Sequence, residues 1–196
     1  MQWGLPFGRD LTLAKSTGKS CINVRDDTLR EDRPMFRYAK QRQRGVVLAQ
    51  GYYEWASAHN QKVPHYFTCR DTPVLCLAVV YDHSQSELGA KTCYSIVTRS
   101  ATPEFASIHD RMPLILEWGS ANWQTWLDSD QPWNPRVQAV LKALPPPSLS
   151  EHTVSTDVGN VHQDHPALIR HVSSPIVKPK ANTKLTDFFG AKATNN

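Results

Sequence analysis

Two short segments of this 196-residue sequence place an acid, a base and a guanidinium where they could move protons on a phosphate-bearing substrate. Glu54 stands among aromatic residues in the run Gly51–Trp55, and a carboxyl group in apolar surroundings suits acid–base work near neutral pH. His109 is followed by Asp110 and Arg111. An imidazole exchanges protons near pH 7, and a guanidinium can hold a phosphate with two hydrogen bonds. The alternatives are a strand-edge Glu facing water and a structural Asp–Arg pair beside a solvent-facing His.

A third candidate is the pair Asn23 and Arg25, in the alternating run Ile22–Arg25. Successive strand residues point to opposite faces of a sheet, so Asn23 and Arg25 are expected to share a face. An amide beside a guanidinium forms a polar platform for a phosphodiester or a base edge. An ordinary exposed strand face is the alternative, and the residue types alone leave both open.

Metal and cofactor chemistry have little support in the sequence. The pair His162 and His165 is followed directly by Pro166, which interrupts any helix that would present both of them to one zinc ion, so we predict no metal site and no cofactor. A cysteine–histidine nucleophile pair stays open, since no local motif marks one. The cysteines contain no C-x-x-C pair and are expected to be free thiols; they are Cys21, Cys69, Cys76 and Cys93.

Charge and hydropathy narrow the class of partner. The longest apolar stretch, Val74–Tyr81, is far shorter than the roughly 20 residues of a membrane-spanning helix, so no membrane partner is expected. The net charge is +4. A basic segment favours a phosphate-rich partner, with a solvated basic face as the alternative; its members are Arg33, Arg37, Lys40, Arg42 and Arg44.

Many short β-type runs with a few clustered helices predict an α+β fold, built on an antiparallel sheet or barrel-like core with flanking helices. The segment at 3–20 is Gly- and Pro-rich and is expected to be irregular. Helices are expected around 34–43, from an N-cap at Ser120 to Leu127, and after Pro135, with a short helix or turn at 167–171. The predicted strands are Val46–Ala49, Tyr52–Trp55, His65–Cys69, Val74–Tyr81, Tyr94–Thr98, Met112–Leu116 and His152–Ser155.

The composition changes near residue 173. We predict one domain over residues 1–172 and a basic linker and disordered tail over 173–196. The tail contains an adjacent pair, Phe188 and Phe189, which a polar segment cannot bury by itself. It is expected either to dock in an apolar groove of a partner or to pack back on the domain.

Read in order along the chain, these segments resemble the SRAP family (SOS response-associated peptidase), over roughly residues 1–172. The order of the motifs is far more specific than any one of them. The motifs are Trp3-Gly4-Leu5, Asn23-x-Arg25, Arg44-x4-Ala49-x-Gly51-Tyr52-Tyr53-Glu54-Trp55, Pro64-His65-Tyr66-Phe67, Ile96-Val97-Thr98, Ile108-His109-Asp110-Arg111-Met112-Pro113 and Val158-Gly159-Asn160-Val161.

The resemblance implies recognition of abasic sites in single-stranded DNA and a covalent crosslink to them. In the family, the N-terminal cysteine that follows the initiator methionine attacks the sugar aldehyde through its α-amine, and its thiol then closes a thiazolidine. Autoproteolytic removal of the initiator residue accounts for the peptidase name. By position, Glu54 would shuttle protons, His109 would protonate the ring oxygen or assist lyase chemistry or crosslink reversal, and Asn23 would orient the sugar.

The resemblance also assigns DNA contacts. Arg25 and Arg111 would hold flanking phosphates, Trp3 would stack on a base or wedge at a duplex junction, and Thr98 would lie against the DNA. The resemblance therefore assigns seven functional residues. Three would act in the chemistry or orient the sugar, and four would contact DNA.

One departure from the family concerns the first residues. The sequence opens Met1-Gln2-Trp3 instead of Met-Cys-Gly-Arg, so we expect this chain to lack the crosslinking nucleophile and to resemble an N-terminally truncated member. Whether it is an enzyme therefore stays open at this point. The rival interpretations are a non-catalytic module that binds single-stranded DNA and a plain protein-interaction domain.

The tail resembles the box that docks on the replication sliding clamp. An amide at Asn182 would stand in for the usual glutamine, and the hydrophobic anchors would be Leu185, Phe188 and Phe189. This pattern favours clamp binding at replication forks, a eukaryotic protein and a nuclear location, and the chain is expected to act as a monomer.

Overall fold

A long central strand, β9 (Lys91–Ser100), organises the larger of the main sheets. The computed structural model describes residues 1–6, 20–58, 61–84, 91–142 and 148–173. The other strands in these ranges are β1 Gln2–Trp3, β2 Leu5–Pro6, β3 Ser20–Cys21, β4 Asn23–Arg25, β5 Arg44–Ala49, β6 Tyr52–Ala58, β7 Gln61–Cys69, β8 Leu75–Ser84, β10 Arg111–Pro113, β11 Ile115–Leu116 and β12 Leu149–Thr153. The helices are α1 Asp26–Arg30, α2 Arg37–Arg42, α3 Ala121–Leu127 and α4 Pro135–Val140, with 3-10 turns at Pro34–Phe36, Thr156–Gly159 and Pro166–Ile169.

The larger sheet has an antiparallel centre and a parallel edge. Strand β8 pairs antiparallel with β9 on one side and with β5 on the other. Strands β1 and β4 follow one another along β9 and pair with it in parallel. Gly4, between β1 and β2, has a φ of 112°, and a Cβ on it would come within 2.7 Å of the Ser20 hydroxyl, so only glycine suits this bend.

The segment β10–β11 fills the place where β8 and β9 diverge. Strand β10 pairs antiparallel with the last residues of β9, and β11 pairs antiparallel with the first part of β8. Between them, Leu114 donates to the carbonyl of Val97 at 2.8 Å and accepts from the N–H of Ala78 at 2.9 Å. The backbone that carries Arg111 is therefore held from both sides.

A second sheet of three strands, in the order β12–β7–β6, packs on the larger one. The contact layer is an apolar cluster with members from both sheets, including Phe67 and Leu149 from the small sheet and Leu75 and Leu77 from the large one. A separate cluster packs the helices against the larger sheet around fully buried Trp126. The first layer fixes the two sheets relative to each other, and the second fixes the helices on the larger sheet.

The basic segment at 33–44 is divided between the surface and the interior of the fold, so two of its five basic residues are unavailable to a phosphate-rich partner. Arg33 and Arg37 form exposed ion pairs with nearby acids at 2.6 and 2.9 Å. Lys40 is buried and donates to two backbone carbonyls. Arg44 is buried and donates to five backbone carbonyls around α2 and α3. Carbonyls at helix C-termini attract such cations.

The predicted α+β fold is confirmed, with most of its strands and the helices at 37–42, 121–127 and 135–140. Ser120 caps α3 by accepting from the N–H of Trp123 at 3.1 Å. Two expectations were wrong. The last strand is Leu149–Thr153 instead of His152–Ser155, because its pairing with β7 sets its limits. Residues near the N-terminus form short strands, which two-residue patterns cannot reveal. The described helices have at most seven residues, so none could cross a membrane.

Candidate functional site

The main candidate site is a small cleft where the two sheets meet. Glu54 contributes to it from the small sheet, and His109 and Arg111 contribute from the loop and strand after β9. Apolar side chains form its floor, among them Phe67 and Phe105. The structure therefore brings an acid, an imidazole and a guanidinium together from positions 54 to 111.

Glu54 is held at the cleft by the edge strand of the small sheet. It is half-buried, and its Oε1 accepts a hydrogen bond from the Trp55 N–H at 3.1 Å. Tyr52, two residues earlier on the same face, stacks on Phe67 with ring centroids 4.8 Å apart. Burial raises the pKa of the Tyr52 phenol, and the charge of Glu54 raises it further. Gly51 opens this strand, and a Cβ there would lie 2.4 Å from the Phe67 carbonyl.

His109 is positioned by the compact loop between β9 and β10. The loop is closed by a hydrogen bond from the Ala101 N–H to the Asp110 carbonyl at 2.9 Å. It is anchored by Phe105, which is buried and meets Phe67 edge to face at 5.2 Å. The anchor fixes the position of His109 against the small sheet, although the imidazole itself is 42% exposed.

The His109 ring is oriented through its Nδ1 atom. The Arg111 backbone N–H donates to Nδ1 at 3.0 Å, which leaves the proton of the neutral ring on Nε2. The Asp110 carboxylate lies 3.3 Å from the same atom, and the Arg111 carbonyl lies 3.2 Å from it. These contacts to Nδ1 hold the ring in one orientation at the cleft.

Arg111 is held by protein atoms. Its Nη2 atom donates to Asp26 Oδ1 at 2.7 Å and to the Thr98 carbonyl at 2.6 Å, and its side chain is 13% exposed. Asp26 also accepts from Arg30 one helical turn later. This geometry supports a positioning role for Arg111 at the wall of the cleft. Its predicted contact with a DNA phosphate stays a prediction.

Beside the cleft, one face of the larger sheet carries three exposed side chains in a row. Trp3, Asn23 and Arg25 pair in parallel with Tyr94, Ile96 and Thr98 of β9. These partners are two residues apart, so all six lie on one face. Trp3 is 50% exposed, and its indole N–H donates to a backbone carbonyl at 2.8 Å, which fixes the ring at the surface.

The Arg25 side chain is oriented by an ion pair with Asp27. Its Nε and Nη2 atoms donate to both oxygens of Asp27, the closest at 2.6 Å. This ion pair holds the pKa of the Asp27 carboxyl well below its usual range and raises that of Arg25. The Arg25 side chain remains 56% exposed, so its planar face and its charge are open to solvent.

Thr98 lies inside the larger sheet. The Thr98 hydroxyl donates to the Val24 carbonyl at 3.4 Å and is buried, which ties β4 to β9; a contact of Thr98 with DNA stays a prediction. The predicted clamp-binding residues lie outside the described part of the chain; they are Asn182, Leu185, Phe188 and Phe189.

The residue patterns did not single out Asp26 or the pair His65 and Glu151. Asp26 and Arg30 are four residues apart, the spacing of neighbours on a helix face, which is the one available signal. His65 Nδ1 lies 3.0 Å from Glu151 Oε2, and His65 pairs across the small sheet with Glu54. No local pattern links positions 65 and 151, which meet through strand pairing. In the described ranges, no three His, Cys, Asp or Glu side chains are grouped to hold a metal ion.

Comparison with known proteins supplies independent findings. The family model described as SOS response associated peptidase (SRAP) matches residues 1–161. The chain is 29% identical to "Abasic site processing protein YMR114C" of Saccharomyces cerevisiae over 98% of this chain and 50% of that protein, so it spans half the length of this relative. It is 28% identical to "Abasic site processing protein YoqW" of Bacillus subtilis over 86% of this chain and 74% of that protein. It is also 29% identical to "Abasic site processing protein HMCES" of Xenopus tropicalis, over 74% of this chain and 48% of that protein.

Solved structures agree with the fold. A crystal structure of a Bacteroides thetaiotaomicron protein aligns with a TM-score of 0.74 and 25% identity, over 87% of this chain and 75% of that one. A Bordetella bronchiseptica protein aligns with a TM-score of 0.62 and 27% identity, over 78% of this chain and 74% of that one. The predicted family resemblance is confirmed by the family model and the sequence relatives, and the solved structures support the fold.

Proposed function

The chain belongs to the SRAP family, and from this membership and the site geometry we propose that it acts on abasic sites in single-stranded DNA. The observation that carries the proposal is the cleft itself: Glu54 from the small sheet and His109 from the loop after β9 line one small cavity next to a surface bearing Asn23 and Arg25. With a volume of about 10 Å³, the cleft would receive the reacting atoms of an abasic sugar at its mouth, and the rest of the sugar would lie on the adjoining surface.

DNA would run along the exposed face of the larger sheet. Arg25 offers an exposed cation for a phosphate, Asn23 offers an amide for the sugar, and Trp3 offers a fixed aromatic surface for the neighbouring base. The Asp26–Arg111 pair supports the wall between this face and the cleft. Affinity would come mainly from phosphate contacts and would fall with salt.

The covalent chemistry expected of the family defines what the cleft must do. An α-amine adds to the sugar aldehyde to give a carbinolamine, and loss of water from it forms the imine. The thiol of the same cysteine then adds across the C=N bond, forming a C–S bond and returning the proton to nitrogen. Glu54 would accept the amine proton and return it to the leaving water, and His109 would donate a proton to the ring oxygen as the sugar opens.

None of the four cysteines, Cys21, Cys69, Cys76 and Cys93, carries the free α-amine that a thiazolidine needs, because each lies within the polypeptide. We therefore propose that crosslinking at this cleft requires an N-terminal cysteine. The same cleft becomes competent when a Met-Cys-Gly-Arg segment is placed before it.

A crosslinking gel tests this proposal. The chain as given and the extended chain are incubated with single-stranded DNA that carries one abasic site, then heated and run under denaturing conditions. We expect a shifted band from the extended chain alone, and Glu54→Gln should slow its formation. A heat-stable band from the chain as given would mean that another residue attacks the aldehyde. No band from either would contradict the proposed role of the cleft.

Binding is tested separately from chemistry. Arg25→Ala should weaken the affinity for single-stranded DNA about tenfold and reduce the salt dependence by about one phosphate contact. Arg33→Ala is the matched control, because Arg33 forms a similarly exposed ion pair with the residue two positions before it. Equal effects of the two substitutions would place the DNA elsewhere.

A second proposed activity, clamp binding at replication forks, rests on the sequence of the tail. The pattern that favours it consists of Asn182, Leu185, Phe188 and Phe189. The same pattern favours a nuclear location. A non-catalytic module that binds single-stranded DNA and the clamp is the alternative if the extended chain does not crosslink. Pull-down of purified clamp by the full chain, with Phe188→Ala as control, tests it.

A further inference from the structure

A second, larger pocket lies apart from the proposed DNA site. It is an apolar groove of about 590 Å³, walled by the ends of β5, β7 and β8, by β11 and by the turn before β8. It shares no described lining residue with the Glu54–His109 cleft. Its size falls in the range of pockets that hold a ligand or peptide anchors.

Several apolar side chains that line the groove are exposed to solvent. Trp118 is 67% exposed, Leu48 is 58% exposed and Val74 is 37% exposed, and all three line it. Single exposed apolar residues are common, but several around one concave pocket mark an interaction site. Two acidic residues, Asp71 and Glu117, also line it, so a complementary occupant carries apolar anchors next to positive charge.

We propose that this groove is the docking site for the chain's own segment 184–189. Its apolar anchors are Leu185, Phe188 and Phe189, and Lys184 stands directly before them. The linker before it adds Lys178 and Lys180. The occupant therefore offers both features that the groove requires, and the chain supplies it without a partner.

The segment can reach the groove. The last described residues are tied to the end of β12, where the Val172 N–H donates to the Thr153 carbonyl at 3.0 Å. The other end of β12, Leu149, pairs with Cys69, which lines the groove. Four strand residues separate these ends, about 13 Å. The eleven residues 174–184 span up to about 36 Å when extended, which is more than twice that distance.

Docking would withhold the anchors from outside partners. A tether of this length sets an effective concentration of about 1 mM. If the free segment bound the groove with a Kd near 0.1 mM, the docked state would be favoured about tenfold by this arithmetic. A partner for Phe188 and Phe189 would have to overcome that factor, so the groove acts as an intramolecular competitor.

The native thiol of Cys69, half-buried in the groove, provides a direct test in the full chain. Phe188→Cys under mild oxidation should form an intramolecular disulfide with Cys69, seen by peptide mapping and abolished by Cys69→Ser. Thr194→Cys is the control, since it lies beyond the anchors. Equal linkage from positions 188 and 194, or linkage to Cys21 or Cys93, which do not line the groove, would overturn the proposal. Linkage mainly between two chains would also overturn it, in favour of docking between copies.

A second measurement leaves the anchors intact. In the unaltered chain, docking should protect Cys69 from N-ethylmaleimide. Leu48→Glu introduces a charge at an exposed groove position and should speed Cys69 modification about tenfold. Val161→Glu is the matched control, because Val161 is 91% exposed and does not line the groove. Removal of residues 174–196 should match Leu48→Glu; equal Cys69 rates in all four chains would contradict docking.

Discussion

Replacing Asp26 by alanine probes the support behind the cleft. Asp26 is buried and accepts hydrogen bonds from Arg111 and Arg30. Its removal leaves the Arg111 guanidinium, itself 13% exposed, with a backbone carbonyl and a distant hydroxyl as partners. A buried charge without its counter-ion is among the costlier single defects in a fold.

The expected loss of stability depends on how well each arginine is exposed to water once Asp26 is removed. Loss of one partner of a buried ion pair costs about 3–5 kcal/mol. We expect about 3 kcal/mol for Asp26→Ala, because Arg30 is 35% exposed and regains water. Arg111→Met should cost less, about 1–2 kcal/mol, because Asp26 keeps Arg30. The double variant should cost less than the sum of the two by about 1–3 kcal/mol, since the defect in each single variant involves the same pair.

Urea unfolding followed by tryptophan fluorescence measures all three changes. With a slope of about 2 kcal/mol per molar urea, Asp26→Ala should lower the midpoint by about 1.5 M. Single-stranded DNA affinity is measured on the same variants at a temperature where each is folded, and Asp26→Ala should weaken it because Arg111 supports the wall beside Arg25. A midpoint shift below about 0.5 M, or additive effects in the double variant, would refute the reasoning.

Three further predictions test other parts of the fold and site. Arg44→Lys should lower the free energy of unfolding by about 2–4 kcal/mol, since three ammonium donors cannot serve five carbonyls; urea midpoints measure it, and an unchanged midpoint would contradict it. The raised pKa of Tyr52 contributes stability below pH 10 that is lost as pH rises above it, because the unfolded phenol ionises first; Tyr52→Phe should weaken this decline in urea midpoints between pH 9 and 11, and an identical decline would argue against it. In the extended chain, Glu54→Gln should slow crosslinking about 10²–10⁴-fold with DNA affinity within about twofold, as gel time courses and titrations would show; an unchanged rate would remove Glu54 from the chemistry.

Much of the fold could be predicted from local pattern. Short β-type runs bounded by Gly, Pro, Asn or Asp located parts of the long strands β5 to β9, and Ser120 marked the start of α3 because its side chain caps the first turn. The pairing of the short strands β1 and β4 could not be predicted. Two or three residues carry too little periodicity, and their parallel alignment depends on β9, which lies about 90 residues after β1 and about 70 after β4.

Sequence composition could not predict which basic residues are buried and which face solvent. Arg44 and Arg33 belong to the same basic run, yet one is buried among helix carbonyls and the other faces solvent. Nothing in the run itself distinguishes them, because the acceptors of Arg44 include carbonyls on α3 and just beyond it, more than 80 residues later. Net charge therefore indicates a class of partner and cannot place the surface that binds it.

The site shows the same division between local and tertiary information. The segments around Glu54 and His109 were recognisable as chemistry-bearing, and the family resemblance ordered them. Their meeting at one cleft is a property of how the two sheets pack. Asp26, which holds Arg111 from behind, was absent from the predicted set because nothing in the polar stretch around it shows that Asp26 is buried while the side chain of the adjacent Asp27 is partly exposed.

The separation of the acid from the imidazole depends on apolar packing. Glu54 is carried by β6 and His109 by the loop before β10, and in the described contacts the two elements meet through Tyr52, Phe67 and Phe105. Stacked and edge-to-face rings resist displacement in a well-packed core. The cleft can therefore keep its geometry while both polar groups gain and lose protons, since neither group has to hold the sheets together. An acid–base pair that also served as the link between the sheets would loosen them at each proton transfer.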